Sequence, residues 1–156
     1  LEHARAAGCR VSLDLASFEV VQANSDVLDE LLADYVDMVF ANEEEAAAYC
    51  GSDTPEDGLA ALAAHCETAV VKLGADGAWL QCGDERARIE AETVEVVDTT
   101  GAGDLWAAGF LFGRFTGRDL ATCGRFGARL GAEVVQVLGA GITNERWNQL
   151  KKELNR

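Results

Sequence analysis

The chain has 156 residues, 49% of them hydrophobic, which is enough for one domain with a real core. Its 13 Lys and Arg against 27 Asp and Glu leave a formal charge of −14, which disfavours nucleic acid and an anionic membrane as partners, since both need local positive charge. Five scattered cysteines with no Cys-x-x-Cys pair and two isolated histidines give little material for disulfides, zinc or a histidine-based triad.

The cysteines read as small buried hydrophobes in a reducing, cytoplasmic setting. No run approaches the length of a membrane span, and no signal peptide is visible. The chain opens at Leu1 without an initiator Met, and residues 1–8 read as the end of a helix, so a fragment or trimmed product of a longer protein is expected.

Residues 11–15 alternate after Gly8 and predict a strand, with Asp14 near its C-terminal end. Asn24, Ser25 and Asp26 signal a helix start, with Val27, Leu28, Leu31 and Leu32 as its apolar stripe. Residues 37–41 are a short apolar run that predicts a buried strand. Asn42 then stands at an N-cap, and Glu43, Glu44 and Glu45 fill a first turn where acids favour the helix dipole. Gly51 stops that helix. Thr54 and Pro55 start another, with Leu59, Leu62 and Ala63 inward.

Residues 68–73 predict a strand, 74–77 a turn, 78–81 a returning strand, and Cys82, Gly83 and Asp84 a tight reversal into an alternating segment at 86–90. The β-branched run at 94–97 predicts a strand that leads into a loop. A helix follows over 103–115, with Ala107, Ala108, Leu111 and Phe115 inward and Gly117 closing it. Residues 120–138 predict a second long helix, dense in Gly124, Gly127, Ala128, Gly131 and Ala132. Small residues at that spacing let a helix lie close to a neighbour or to a flat ligand, and close packing is the favoured of the two. Gly139, Ala140 and Gly141 break it, and Thr143 caps a final amphipathic helix with Trp147 and Leu150 inward.

Strands alternating with helices predict α/β units, with a mostly parallel sheet flanked by helices and a local meander over 68–97. Ligands of open α/β sheets gather at the C-terminal ends of strands. Asp14, Asn42, Gly74 and Asp98 are all expected at such ends.

The most informative stretch is Asp98, Thr99, Thr100, Gly101, Ala102, Gly103, Asp104. Backbone N–H groups at a helix start lack intrahelical partners and carry the positive end of the dipole, so they suit an anion. Gly101, Ala102 and Gly103 let a phosphate approach that backbone closely. An acid beside an anion site makes sense as a proton acceptor for a hydroxyl. The alternative is structural, with Asp104 capping the helix and the glycines only making a turn. The string is not a Walker A loop, because no Lys-Ser/Thr follows the last glycine. It is not a dinucleotide fingerprint either, because the spacing fails at Trp106.

These residues resemble the ribokinase-like, PfkB-type carbohydrate kinases. Residues 98–104 look like that family's Asp-Thr-x-Gly-Ala-Gly-Asp signature, Asn42 and Glu45 are similar to its Asn-x-x-Glu motif, and residues 71–77 resemble its nucleotide-side glycine turn. The three stand in the family's order. The resemblance covers nearly the whole chain but only the C-terminal half of such a kinase. Residues 1–156 would be the nucleotide-binding and base-bearing portion of a single domain, without the lid and N-terminal half.

The resemblance implies an ATP-dependent phosphotransferase acting on a hydroxymethyl group of a sugar or nucleoside, of the ribose, fructose or adenosine class. Asp104 would be the general base, and the N–H groups of Gly101, Ala102 and Gly103 an anion hole. Asn42 and Glu45 would organise Mg²⁺ and phosphates through water. Lys72, where the family often has Thr, would line the nucleotide site with Gly74 and Gly77, and Ala128 would face the adenine. Some members hold a monovalent cation such as K⁺ at the positions of Asp98 and Thr100, with carbonyls near Gly139. A homodimer is compatible with the resemblance. The competing functional reading is a nucleotide-binding regulatory module of the same fold without turnover. The 156 residues alone are expected to bind nucleotide weakly and to be inactive.

Overall fold

Val39, Phe40 and Ala41, like Ala69, Val70 and Val71, are apolar runs with no polar interruption, and such runs suit strands covered on both faces. In the computed structural model, which describes residues 1–154, they lie in β2 (Met38–Asn42) and β3 (Thr68–Lys72), each with four consecutive buried residues. With β1 (Ser12–Asp14), β4 (Ala78–Cys82) and β5 (Glu85–Ile89) they make one five-stranded sheet in sequential order. β1, β2 and β3 run parallel, and β4 runs antiparallel to β3. The sheet is thus mixed, parallel through β3 and turning back in the expected meander. Register places Asn42 opposite Lys72 at the C-terminal ends of β2 and β3.

The chain divides into two compact units, Leu1–Arg88 and Ile89–Arg156. In the first, α1 (Glu2–Ala6) precedes β1, and α2 (Phe18–Ala23) and α3 (Ser25–Tyr35) lie between β1 and β2. α4 (Glu43–Cys50) and α5 (Pro55–Ala63) lie between β2 and β3. Alternate strand residues Val39, Ala41, Ala69 and Val71 share one core cluster with Val21, Leu28, Leu32, Ala46, Leu59 and Leu62 of the helices.

The second unit contains α6 (Ala102–Phe115), α7 (Leu120–Val134) and α8 (Asn144–Leu154). α6 and α7 pack at a distance only glycine allows. A Cβ on Gly109 would sit 2.4 Å from the Phe126 carbonyl oxygen, and one on Gly127 would sit 2.8 Å from the Trp106 ring. The small-residue helix is therefore used for close packing, as its spacing predicts. α8 adds Leu150 and Leu154 to a cluster with Leu130. Glu133, buried on α7, accepts hydrogen bonds from Arg129 at 3.0 Å and from Arg146 Nη2 at 2.8 Å, with a further close contact from Arg146 Nε.

Several expectations are corrected. Residues 94–97 form no strand: the Val97 and Asp98 N–H groups both donate to the Val135 carbonyl, at 2.7 and 3.2 Å, and Val96 and Val97 are exposed. β-branched residues favour a strand only where a neighbouring strand is available to pair with. Asp98 is accordingly not at a strand end. The inward face of α6 is Trp106, Gly109, Phe110 and Gly113. Ala108 and Phe115 are exposed, because the glycine face is the one that can approach α7.

α7 stops at Val134, short of Leu138, which is exposed. The short helix α2 has a single buried residue, Val21, and so lacks a periodic stripe. Its start is marked by Ser17, whose hydroxyl accepts from Val20 N–H at 3.3 Å. Val27 is exposed rather than part of the α3 stripe. All five cysteines are free; Cys66 and Cys123 are buried, Cys50 and Cys82 half-buried, and Cys9 exposed. No helix of the described residues is long and apolar enough to cross a membrane.

Candidate active site

In the first unit, polar residues collect where the parallel strands end. Asn42 caps α4 in both directions. Its side-chain oxygen accepts from Glu45 N–H at 2.8 Å, and its own N–H and Nδ2 each donate to one Glu45 oxygen at 2.8 Å. This capping box holds two side chains that would otherwise be mobile. Glu45 is only 3% exposed. Burial pushes its carboxyl above the ordinary value; the bond from Asn42 N–H and the charge of Lys72 oppose this, and Asp14 adds to it.

Beside it, Lys72 Nζ donates to Asp14 Oδ2 at 2.8 Å, joining the ends of β3 and β1 across β2. After Lys72 the chain turns on two glycines in the left-handed half of conformational space, Gly74 at φ +54° and Gly77 at φ +89°. The turn closes through Leu73 N–H to the Gly77 carbonyl at 2.8 Å. The first unit thus brings Asp14, Asn42, Glu45 and Lys72 together, with the glycine turn following directly.

In the second unit the signature segment is tied at its first acid. Asp98 Oδ1 accepts from the Thr100 N–H at 2.9 Å and hydroxyl at 2.8 Å, while Oδ2 accepts from Gly139 N–H at 2.8 Å. The Thr100 N–H, then the Gly139 N–H, hold this carboxyl below the usual range. Gly101 is the N-cap of α6 with φ +78° and ψ +4°. A Cβ there would meet the Ala140 Cβ at 2.7 Å. Gly101 is therefore required twice, by conformation and by contact.

The Ala102 N–H donates to the Thr99 carbonyl at 3.1 Å, so this expected anion-hole donor is engaged within the loop. Asp104 stands exposed in the first turn of α6, and its carboxylate has no hydrogen-bond or ion-pair partner among the described residues. Ala128 is buried on α7.

Sequence reasoning placed Asp14 and Lys72 separately and missed their pairing. The available signal was opposite charge at the ends of two strands flanking the same central strand. The bond from the Gly139 N–H to Asp98 was not anticipated from the sequence. Among the described residues no group of three or more His, Cys, Asp or Glu side chains is arranged to hold a metal directly.

The family model for pfkB family carbohydrate kinases matches residues 3–147. The chain is 35% identical over 145 residues to the 1-phosphofructokinase of Haloferax volcanii, covering 89% of this chain and 45% of that protein. Adenosine kinase from Sinorhizobium meliloti superposes with a TM-score of 0.90 at 35% identity, over 97% of this chain and 47% of that one. A putative ribokinase II from E. coli, solved in complex with ATP and Mg²⁺, superposes at 0.79 with 25% identity, over 96% of this chain and 50% of that one. The chain spans less than half the length of the curated relatives it matches. With the family model covering most of its residues, the chain belongs to the pfkB family of carbohydrate kinases.

Proposed function

We propose that these residues are the donor-side and base-bearing part of one kinase domain, which transfers a phosphoryl group from ATP to a hydroxymethyl group of a sugar or nucleoside. The observation that carries the reading is Asp104: an unpaired, exposed carboxylate in the first turn of a 14-residue helix whose N-cap is the left-handed Gly101. Asp98 and Asp119, by contrast, accept bonds from backbone N–H groups of their own turns, from Thr100 at 2.9 Å and from Thr122 at 2.7 Å.

In the proposed mechanism Asp104 accepts the proton of the acceptor hydroxyl as that oxygen becomes the nucleophile. The N–H groups at the start of α6, with the helix dipole behind them, hold the charge on the transferring group. Gly101 keeps side-chain bulk away from that backbone. The Ala102 N–H reaches the transferring group by exchanging its bond to Thr99. Ala128 faces the adenine.

Oxygen-only donors suit Mg²⁺, which dehydrates reluctantly and keeps several waters. Each Glu45 oxygen already accepts one bond and retains one further acceptor site, which fits a water-mediated role for Glu45 and Asn42. Mg²⁺ when bound would neutralise charge on the phosphate oxygens. A monovalent cation at Asp98 and Thr100 fits less well, because three hydrogen bonds already fill most of the acceptor capacity of Asp98, and no step is assigned to it. The names of the relatives, a phosphofructokinase and an adenosine kinase, support an acceptor of the sugar or nucleoside class. A cytoplasmic setting accords with five free cysteines. A homodimer belongs to the same proposal.

The test is ADP release from MgATP by the protein at its natural length, with ribose, fructose and adenosine as acceptors. Asp104→Asn is expected to lower turnover by about two to four orders of magnitude. Equal turnover by the two forms would refute the base assignment. ATP binding without turnover on any acceptor would favour the regulatory module.

A further inference from the structure

We infer that Asp14 is a positioning residue: it holds the Lys72 ammonium in place to receive an anionic oxygen of the nucleotide, an inference that rests on the kinase reading above. Lys72 sits at the C-terminal end of β3 with its side chain 14% exposed, so its stem is mostly covered while its head reaches the strand ends. One of its three N–H donors goes to Asp14 at 2.8 Å; the other two have no acceptor among the described residues. A lysine on a flexible four-carbon stem gains most from a partner that fixes its rotamer. Asp14 is well suited to that. Its Oδ1 accepts from the Ala16 N–H at 3.0 Å, so the carboxylate is itself oriented, and Oδ2 is presented to Lys72.

The remaining charges at this place are unfavourable to an anion. Asp14 and Glu45 supply two carboxylates against the single ammonium of Lys72. A polyphosphate arriving here needs that ammonium in a fixed position, and Asp14 fixes it at the cost of a repulsive charge.

This gives the inference a direction that simple electrostatics reverses. Asp14→Asn removes a negative charge from an anion site, so charge alone tightens ATP binding. Loss of positioning weakens it. The experiment is titration calorimetry of ATP with excess Mg²⁺ on the natural-length protein, its Asp14→Asn and Lys72→Met variants and the double variant, beside steady-state KM and kcat.

Lys72→Met is expected to weaken ATP binding about tenfold to a hundredfold, the loss of a charge-assisted hydrogen bond. Asp14→Asn is expected to weaken it about threefold to tenfold, the cost of leaving one long side chain unordered. The double variant should bind ATP no more weakly than Lys72→Met alone, because without the ammonium Asp14 has nothing to position and only its repulsive charge is lost. KM for ATP should carry these changes, with kcat moving less, and Asp14→Glu should recover part of the affinity.

Tighter ATP binding by Asp14→Asn, or additive losses in the double variant, would overturn the inference. Should Asp14→Asn fail to fold, Lys72→Met decides alone, and an unchanged ATP affinity overturns it. Normal turnover with unchanged affinities in the variants removes this inference and leaves the kinase reading standing. No ATP binding by the unsubstituted protein removes both.

Discussion

Gly101→Ala tests the geometry on which the candidate site depends, and its cost has two separable parts. The first is conformational: at φ +78° an Ala side chain costs about 1–2 kcal/mol relative to glycine. The second is steric: the new Cβ would lie 2.7 Å from the Ala140 Cβ and 3.3 Å from its Cα, and overpacking of this kind costs about 1–3 kcal/mol. Against these, Ala stiffens the unfolded chain and returns about 0.4–1 kcal/mol. The net expectation is about 1–5 kcal/mol of destabilisation.

The measurement is urea unfolding followed by tryptophan fluorescence in a Trp79→Phe background, which leaves Trp106 and Trp147, both in the second unit, as the reporters within residues 1–156. Repeating it with Ala140→Gly removes the contact but keeps the backbone angle. Gly101→Ala should then cost about 1–3 kcal/mol less than in the parent. Equal costs in the two backgrounds would refute the Ala140 contact. A cost below about 0.5 kcal/mol in both would refute the left-handed conformation itself, since changes of that size are ordinary at unconstrained surface positions.

Two further outcomes follow from the carboxylates of the same unit. Hydrogen bonds from Arg146, and then from Arg129, hold Glu133 below its ordinary value of 4.5 against the opposing effect of burial. Its folded value is depressed, so its contribution is present above pH 4.5 and is lost as pH falls through the lower folded value. Glu133→Gln should therefore cost about 1–3 kcal/mol near neutrality, less than a fully buried pair because Arg146 is part-exposed, and should flatten the acid limb of the pH–stability curve. A parallel acid limb in parent and variant would contradict this. For Asp98, the amide proton shifts of Thr100 and Gly139 should titrate together with a midpoint below 3.8, and Asp98→Asn should abolish both titrations; separate midpoints would mean that the two groups do not share one carboxylate.

What the sequence revealed about the fold divides by the range of the interaction concerned. The α4 start was legible because its parts lie within four residues, Asn42 as cap and Glu43, Glu44 and Glu45 in the first turn, and its end was marked by Gly51, which is left-handed in the structure. The buried strands were legible because covering both faces demands uninterrupted apolar runs. The strand expected at 94–97 failed for the converse reason. Its β-branched residues state a local preference, but whether a strand forms depends on a neighbour that local sequence does not encode, and here the Val97 N–H goes to the carbonyl of Val135, the C-cap of α7. The α6 face failed likewise. Counting apolar side chains favoured Ala108 and Phe115, whereas the buried face is set by how closely two backbones approach, and glycine contributes nothing to an apolar count.

Within the site, the same distinction separates the two acids of the signature. They are six residues apart and chemically identical in the sequence. In the folded chain Asp98 spends both oxygens on Thr100 and Gly139, and so ties the loop before α6 to the break after α7. Asp104 spends neither. A carboxylate with filled acceptors and a lowered pKa is a poor proton acceptor, while one left open on an exposed helix turn is free to take a proton from whatever hydroxyl is presented. The family signature repeats aspartate at both ends; two local bonds from Thr100 and a long-range bond from Gly139, 41 residues away, separate the tie from the candidate base. Substituting the two acids should therefore separate in kind. Loss of Asp98 should be felt first in the order of the loop, and loss of Asp104 first in turnover, with the loop unchanged.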